Sequence, residues 1–142
     1  MNAHITIIAA ASILVAAVSC SKESFGDRID DETVFTASGT VHVEDNGNAR
    51  PAPISGIRVV MTSYNLIDLL KVCPIERDTV ITDKRGRYET TLGRSAHIYY
   101  DLVAEDTDGE DNGGEFETYH MDKIVPGKES RLDNILLYMK RK

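Results

Sequence analysis

From Ser38 onward, the chain is a succession of short runs in which apolar and polar residues alternate. In the first run, Val41 and Val43 share one face, whereas Thr40 and His42 share the other. This pattern is typical of a β-strand with one buried face, and such strands bury that face by packing one sheet against another. Seven strands are predicted, at residues 38–44, 57–63, 77–82, 87–92, 97–105, 115–125 and 134–140.

Turn-forming residues separate the predicted strands. Residues 45–48 read Asp-Asn-Gly-Asn, and asparagine and glycine tolerate the positive φ angles of tight turns. Pro51 and Pro53 break a strand where they stand, because proline has no backbone N–H to donate. Short strands with turn signals between them predict an all-β fold, an antiparallel seven-stranded β-sandwich. Residues 64–75 are the exception, since their apolar residues do not alternate and fit a helical turn or a packed loop equally well.

The N-terminal end carries a different pattern, a run of apolar and small residues at 5–18 that only Thr6 and Ser12 interrupt. As a helix, these 14 residues would span about 21 Å, whereas a bilayer core is about 30 Å thick. The run has the length of a signal-peptide hydrophobic region and leads through Ala-Val-Ser to Cys20. We expect residues 1–19 to be a lipoprotein signal helix that is removed, which leaves Cys20 as the acylated first residue. An ordinary secretory signal with an incidental cysteine is the alternative.

Acylation of Cys20 would anchor the mature chain in a membrane. Residues 20–36 are polar and acidic, and we interpret them as a flexible tether with a typical reach of about 20–25 Å. Residues 37–142 are then the sandwich domain. The expected location is a bacterial cell envelope, with the outer membrane as the favoured membrane.

Cys73 is the other cysteine of the chain. If Cys20 is acylated, an intramolecular disulfide is excluded, because the sulfur of Cys20 is already in a thioether. Cys73 is therefore expected to be a small buried hydrophobe, and a reactive thiol is the alternative.

The net charge of −7 has a local origin. Residues 101–122 contain nine acidic residues and no Lys or Arg. The rest of the chain has 23 − 9 = 14 acids against 16 bases, a net charge of about +2. Because no basic patch with interleaved aromatic residues is present, the sequence gives no support for nucleic-acid binding.

The centre of this acidic stretch is the best candidate for a binding site. Carboxylate and amide oxygens are the donors that Ca²⁺ prefers, and nearby glycines let a backbone fold around an ion. An EF-hand is excluded, because the predicted flanks are strands and the spacing departs from that loop. A calcium site in a sandwich loop and a solvated acidic hairpin loop closed by a turn at Asn112 and Gly113 both remain open. The candidate metal ligands are Asp106, Asp108, Glu110, Asp111, Asn112 and Glu117.

The sequence contains no recognisable catalytic constellation. It has no Gly-x-Ser-x-Gly motif and no glycine-rich phosphate loop between a strand and a helix. His42, His97 and His120 fall on separate predicted strands without close spacing, so they could form a zinc site only if the fold happened to bring them together. We therefore expect no enzymatic activity and no catalytic residues.

Two resemblances follow from these residues. Residues 38–92 resemble the carboxypeptidase regulatory-like domain, a small transthyretin-like sandwich. Residues 105–116, with their acidic and glycine-rich run, are similar to the radical SAM-associated lipoprotein group, small lipoproteins of Gram-negative bacteria whose genes lie beside that of a radical SAM enzyme. The residues that carry the first resemblance are Gly39, Val41, Asp45, Gly47, Pro53, Ile54, Gly56, Val59, Thr82, Asp83, Gly86 and Tyr88.

The resemblances imply a transthyretin-like or immunoglobulin-like sandwich, an envelope location and a radical SAM enzyme as a neighbour, but no established activity. With the pattern of the residues, they predict a non-enzymatic binding or structural module held in the membrane through Cys20. Its partner would be an envelope protein or a glycan. Two alternatives stay open: a substrate or accessory of a radical SAM enzyme, and a calcium-binding surface module.

Overall fold

The computed structural model describes residues 30–44 and 52–142, and it describes side chains from Val34 onward. The predicted signal helix at 1–19, the acylated Cys20 and the predicted turn at 45–48 lie outside the described residues. Seven strands are present: β1 (Asp30–Val43), β2 (Ile57–Asn65), β3 (Glu76–Ile81), β4 (Arg87–Arg94), β5 (Ile98–Asp106), β6 (Tyr119–Ile124) and β7 (Arg131–Met139).

The strands form two sheets, one in the order β4-β1-β7 and the other in the order β3-β2-β5-β6. The predicted all-β fold, with seven strands in two packed sheets, is confirmed. Each predicted strand overlaps one observed strand in the same order. Over the ranges that the structure describes, we find no helix of the length and apolarity that crossing a membrane requires.

The prediction that the sandwich is antiparallel throughout is wrong for one pair, because β7 runs parallel to β1. The register brings Thr36 opposite Arg131 and His42 opposite Tyr138. The chain reaches this arrangement by leaving one sheet at the end of β6 and joining the other sheet at the end where β1 begins. The alternation of apolar and polar residues within a strand predicts which of its faces is buried, but it does not predict which strand lies beside it.

The core lies between the two sheets and consists of side chains from their inner faces. Strand β4 shows the alternation most clearly, with Tyr88, Thr90 and Leu92 buried between exposed neighbours. The rings of Phe35 and Tyr100 pack across the interface with centroids 4.6 Å apart. The apolar core residues with no solvent exposure are Phe35, Ala37, Val41, Val59, Met61, Tyr100, Leu102, Ala104, Leu137 and Met139.

The predicted tether is too long at its C-terminal end. Strand β1 begins at Asp30, so residues 30–36 belong to the sandwich and not to a flexible segment. Phe35 is fully buried, and residues 34–36 pair with residues 91–93 of β4. Val34 and Phe35 are adjacent apolar residues in a polar segment and show no alternation, which explains why the sequence pattern places the boundary at residue 37.

The strand directions give the sandwich two ends, which we call poles. The proximal pole is the end at which β1 begins, and it contains residues 66–75, 95–97 and 125–130. The distal pole is the end at which β1 finishes, and it contains residues 82–86, 107–118 and 140–142. The polypeptide therefore enters the domain at the proximal pole and leaves it at the distal pole.

Candidate functional site

The acidic loop, residues 106–117, connects β5 to β6 at the distal pole, and Asp106 braces it. One carboxylate oxygen of Asp106 accepts a hydrogen bond from the backbone N–H of Asp108 at 3.2 Å. The other accepts from the backbone N–H of Phe116 at 2.9 Å. A single side chain thus holds the two ends of the loop together.

The hydrogen bonds also set the charge of this side chain. Partial burial alone would oppose the charged form of Asp106, but the hydrogen bonds donated by the backbone N–H groups of Phe116 and Asp108 favour that form. The pKa of Asp106 is therefore held below its usual value. Asp106 is a charged structural brace at neutral pH.

The C-terminal residues hold the other side of the acidic loop. The backbone N–H of Glu117 donates to the carbonyl of Lys140 at 2.8 Å, and the N–H of Lys142 donates to the carbonyl of Glu115 at 3.1 Å. Between them, the guanidinium of Arg141 lies 5.2 Å from the ring centre of the buried Phe116. The same guanidinium donates a hydrogen bond to the carbonyl of Gly113. The sequence pattern gives no sign of this contact, because residues 28 positions apart make it.

The tip of the loop rests on the backbone that precedes β2. The side-chain amide of Asn112 donates to the carboxylate of Asp108 at 2.5 Å. Gly56 has a φ angle of 77°, which favours glycine, and a Cβ atom there would lie 2.7 Å from that carboxylate and 2.6 Å from the amide nitrogen, so a larger residue would displace these two side chains. Asn112 and Gly113 have φ angles of 53° and 101°, as the predicted turn requires.

The structure brings together only part of the predicted calcium ligand set. Asp106, Asp108 and Asn112 form one hydrogen-bonded group, and both carboxylate oxygens of Asp106 already accept backbone N–H groups. Glu110, Asp111 and Glu117 are exposed. Among the residues that the structure describes, no three His, Cys, Asp or Glu side chains are placed to hold a metal ion. Calcium binding therefore stays a prediction. The contacts that order the loop in this structure are hydrogen bonds within the protein.

The three histidines of the sandwich lie far apart along its strands. His42 in β1 is hydrogen-bonded to the hydroxyl of Thr40 at 2.8 Å, and its ring centre is 5.9 Å from that of Tyr138. His97 immediately precedes β5, and His120 lies in β6. Both side chains are exposed.

A second exposed feature, which sequence reasoning missed, occupies the proximal pole. The apolar loop, residues 66–75, follows β2 and contains turns and no helix, so the segment is a loop, but it is not the packed loop that the sequence allowed. Several of its apolar side chains are exposed instead of buried. The exposed ones are Ile67, Leu69, Leu70 and Val72.

A buried carboxylate attaches the apolar loop to the sheet. Lys71 places its Nζ atom 2.6 Å from the buried Asp101 and 3.0 Å from Asp122. Asp101 also accepts the backbone N–H of Lys123 at 2.8 Å. The hydrogen bond to Asp101 raises the pKa of Lys71 above its usual value, so the lysine stays protonated. The pair neutralises a charge that burial would otherwise penalise.

Cys73 lies in the apolar loop, and it is half-buried and disulfide-bonded. The expectation of a small buried thiol, with an intramolecular disulfide excluded, is therefore wrong for this structure. The chain has two cysteines, and the other, Cys20, lies outside the described residues. A thioether and a disulfide cannot share one sulfur, so the chemical state of Cys20 decides between the two bonds.

Comparisons with known proteins show similarity to solved structures alone. No family model and no curated protein matches the chain. The major plantain pollen allergen Pla l 1 has a TM-score of 0.44 at 18% identity and covers 78% of this chain and 95% of its own. The N-terminal domain of the shaft pilin spaA from Lactobacillus rhamnosus GG has a TM-score of 0.46 at 10% identity, with the same coverage of 78% and 95%.

A third similar structure is a 9R-lipoxygenase from Cyanothece PCC8801, with a TM-score of 0.42 at 15% identity. The match covers 89% of this chain but 20% of the lipoxygenase. Scores at this level carry no argument about function. The resemblance to radical SAM-associated lipoproteins stays a prediction.

Substitution of Asp106 tests whether its two hydrogen bonds order the acidic loop. In an Asp106→Asn variant, an amide replaces one acceptor oxygen with a donor, so one of the two N–H groups loses its partner. We expect hydrogen exchange at the Phe116 amide to accelerate by roughly tenfold, the equivalent of one hydrogen bond. In the wild-type chain, the protection factor of the Phe116 amide, which is the ratio of its intrinsic to its observed exchange rate, should fall by a similar factor as the pH falls through the depressed pKa of Asp106, since the brace requires the charged form.

The matched control is Asp111→Asn, which removes the same charge from an exposed position of the same loop. Its effect on exchange at Phe116 should be small. Equal acceleration in both variants would show that loop charge, and not the brace, orders the segment.

Proposed function

We propose that the chain is a lipid-anchored, non-enzymatic module of a bacterial cell envelope that presents its acidic loop to a partner. The observation that carries this proposal is the opposition of the two poles. Strand β1 begins at the proximal pole, whereas the acidic loop lies at the distal pole. The nine residues of β5 separate the poles by about 30 Å, at about 3.3 Å per residue. An anchor at Cys20 would thus leave the acidic loop facing away from the membrane.

The construction of the loop supports a role in binding. Asp106 and the C-terminal residues 140–142 hold its backbone, so less conformational entropy is lost when a partner binds. Four of its carboxylates are exposed and free to meet a cationic surface, which suits a basic segment of an envelope protein. These exposed acids are Glu110, Asp111, Glu115 and Glu117.

The anchor is the part of the proposal to test first, and the two cysteines provide a matched pair of variants. Cells that express the wild type, Cys20→Ala or Cys73→Ala are labelled with palmitate and fractionated. We expect the wild type and Cys73→Ala to carry the label and sediment with membranes, because thioether formation needs only the sulfur of Cys20. Cys20→Ala should lose both the label and the membrane association.

The same variants separate the thioether from a disulfide. If Cys20 bonds to Cys73, the wild type carries no lipid and the Cys73→Ala variant exposes a Cys20 thiol to alkylation. That result, or membrane association of unlabelled Cys20→Ala, would remove the anchor from the proposal. The mass of the native mature protein tests the alternative role as a radical SAM substrate, which requires a modification beyond the lipid.

A further inference from the structure

The apolar loop exposes large side chains that globular domains normally bury. Ile67 is 64% exposed, Leu69 is 65% exposed and Leu70 is 86% exposed. Val125, in the β6–β7 turn of the same pole, is 55% exposed. Single exposed apolar residues are ordinary, but several on one pole mark a surface that contacts something else.

Hydrogen bonds of polar groups order the loop with these apolar side chains in solvent. The carboxylate of Asp68 accepts the backbone N–H groups of Val72 at 3.0 Å and of Cys73 at 2.8 Å. The backbone carbonyl of Asp68 accepts the hydroxyl of Tyr99 at 2.7 Å, and the N–H of Leu66 donates to the carbonyl of His97 at 2.8 Å. With Lys71 bonded to Asp101, the polar groups fix the loop while its apolar groups stay in solvent.

The position of the loop relative to the N-terminus limits what can cover it. Strand β1 begins at the same pole, where Asp30 pairs with Arg94. From Cys20 to Asp30 there are 30 − 20 = 10 residue steps, which span at most about 36 Å. A lipid at Cys20 therefore keeps the start of β1, and with it the pole that carries the apolar loop, within that distance of a bilayer surface.

The charge distribution suits the same orientation. The acidic loop, with six acids and no Lys or Arg at 106–117, lies at the opposite pole. The proximal pole carries charges of both signs, with Lys123 and Lys128 exposed and Asp30, Asp31 and Glu32 at the start of β1. The excess of acid lies at the distal pole, which favours that pole facing away from anionic headgroups.

We propose that the apolar loop inserts Ile67, Leu69 and Leu70 into the interfacial layer of the phospholipid bilayer that holds the anchor. The proposal rests on the proposed function, because the lipid at Cys20 brings the bilayer within reach, and it concerns the form in which Cys20 carries a thioether and not a disulfide to Cys73. The loop acts as a second, weaker contact that fixes the orientation of the domain. The tether sets the distance, and the loop sets which pole faces the membrane.

The absence of tryptophan from the sequence allows a direct test. A Leu70→Trp variant carries one indole at the most exposed large apolar residue of the loop, and Tyr138→Trp, on β7, is the matched control away from the proximal pole. Full-length protein is purified with its lipid and reconstituted into vesicles of phosphatidylethanolamine and phosphatidylglycerol. On vesicle binding, we expect Leu70→Trp emission to shift to shorter wavelength and to be strongly quenched by brominated lipid, with Tyr138→Trp unchanged.

The other results are also informative, and each overturns the proposal. A shift without vesicles that grows with protein concentration would show that a second copy covers the loop. A shift without vesicles at every concentration would show that another segment of the chain covers it. If palmitate labelling confirms the anchor but Leu70→Trp stays unquenched, the docking fails while the proposed function stands. If the wild type carries no lipid, the proposed function itself fails.

Discussion

A chain that starts at residue 37, the domain boundary that the sequence pattern predicts, is expected to lose its cooperative unfolding transition. The truncation removes Phe35, which is fully buried and contacts Tyr100 across the two sheets. Loss of a buried phenylalanine side chain costs about 3–5 kcal/mol, and a small domain has only about 5–15 kcal/mol in total. The pairing of residues 34–36 with β4 is lost as well.

The control is a chain that starts at residue 30 and retains the whole of β1. It should unfold in a single transition by circular dichroism, with a midpoint close to that of a Cys20→Ala chain that starts at residue 20, since neither chain has a Cys20 sulfur that can bond to Cys73. Within this chain, Val34→Ala at a 46% exposed position should cost far less stability than Phe35→Ala. A stable, cooperative chain from residue 37 would show that the first half of β1 is dispensable and that the tether is as long as the sequence suggests.

Gly39→Ala is expected to destabilise the domain by about 3 kcal/mol, the upper part of the range for overpacking. Gly39 lies in β1 between β4 and β7, where the register of the parallel pair shifts. A Cβ atom there would overlap the backbone carbonyl of Ile135. That backbone cannot retreat easily, because its carbonyl also accepts the hydroxyl of Tyr88 at 3.0 Å.

Ser38→Ala, one residue earlier in β1, is the matched control for urea unfolding. Ser38 donates a hydrogen bond to Asp133 on the exposed side, and its loss should cost about 1 kcal/mol or less. If the two variants unfold at the same urea concentration, the close approach of β7 to Gly39 is not a constraint on the fold.

The strands could be predicted because their burial follows the sequence period, as Tyr88, Thr90 and Leu92 show. The direction of β7 could not be predicted, because it depends on which strand lies beside it. Apolar composition suggested burial for residues 66–75, but the loop is ordered by Asp68 and by Tyr99, a residue 31 positions away. Exposure of this kind is set by tertiary contacts and not by local propensity.

The candidate site was predictable to a similar extent. The acidic composition located the loop, and the Asn-Gly pair at 112–113 indicated its turn. The role of Asp106 as a brace was not predictable, because a carboxylate that binds backbone N–H groups and one that binds a metal ion look alike in a sequence. The contact of Arg141 with Phe116 depends on where β7 ends.

The parallel pairing of β1 with β7 has a mechanical consequence. A force that pulls the C-terminus away from a fixed N-terminus draws β7 toward one pole and β1 toward the other. The interstrand hydrogen bonds are then loaded in shear, so they resist together and do not peel apart one at a time. Such a domain transmits tension along its length before it unfolds, which a strand order with adjacent termini at one pole would not permit.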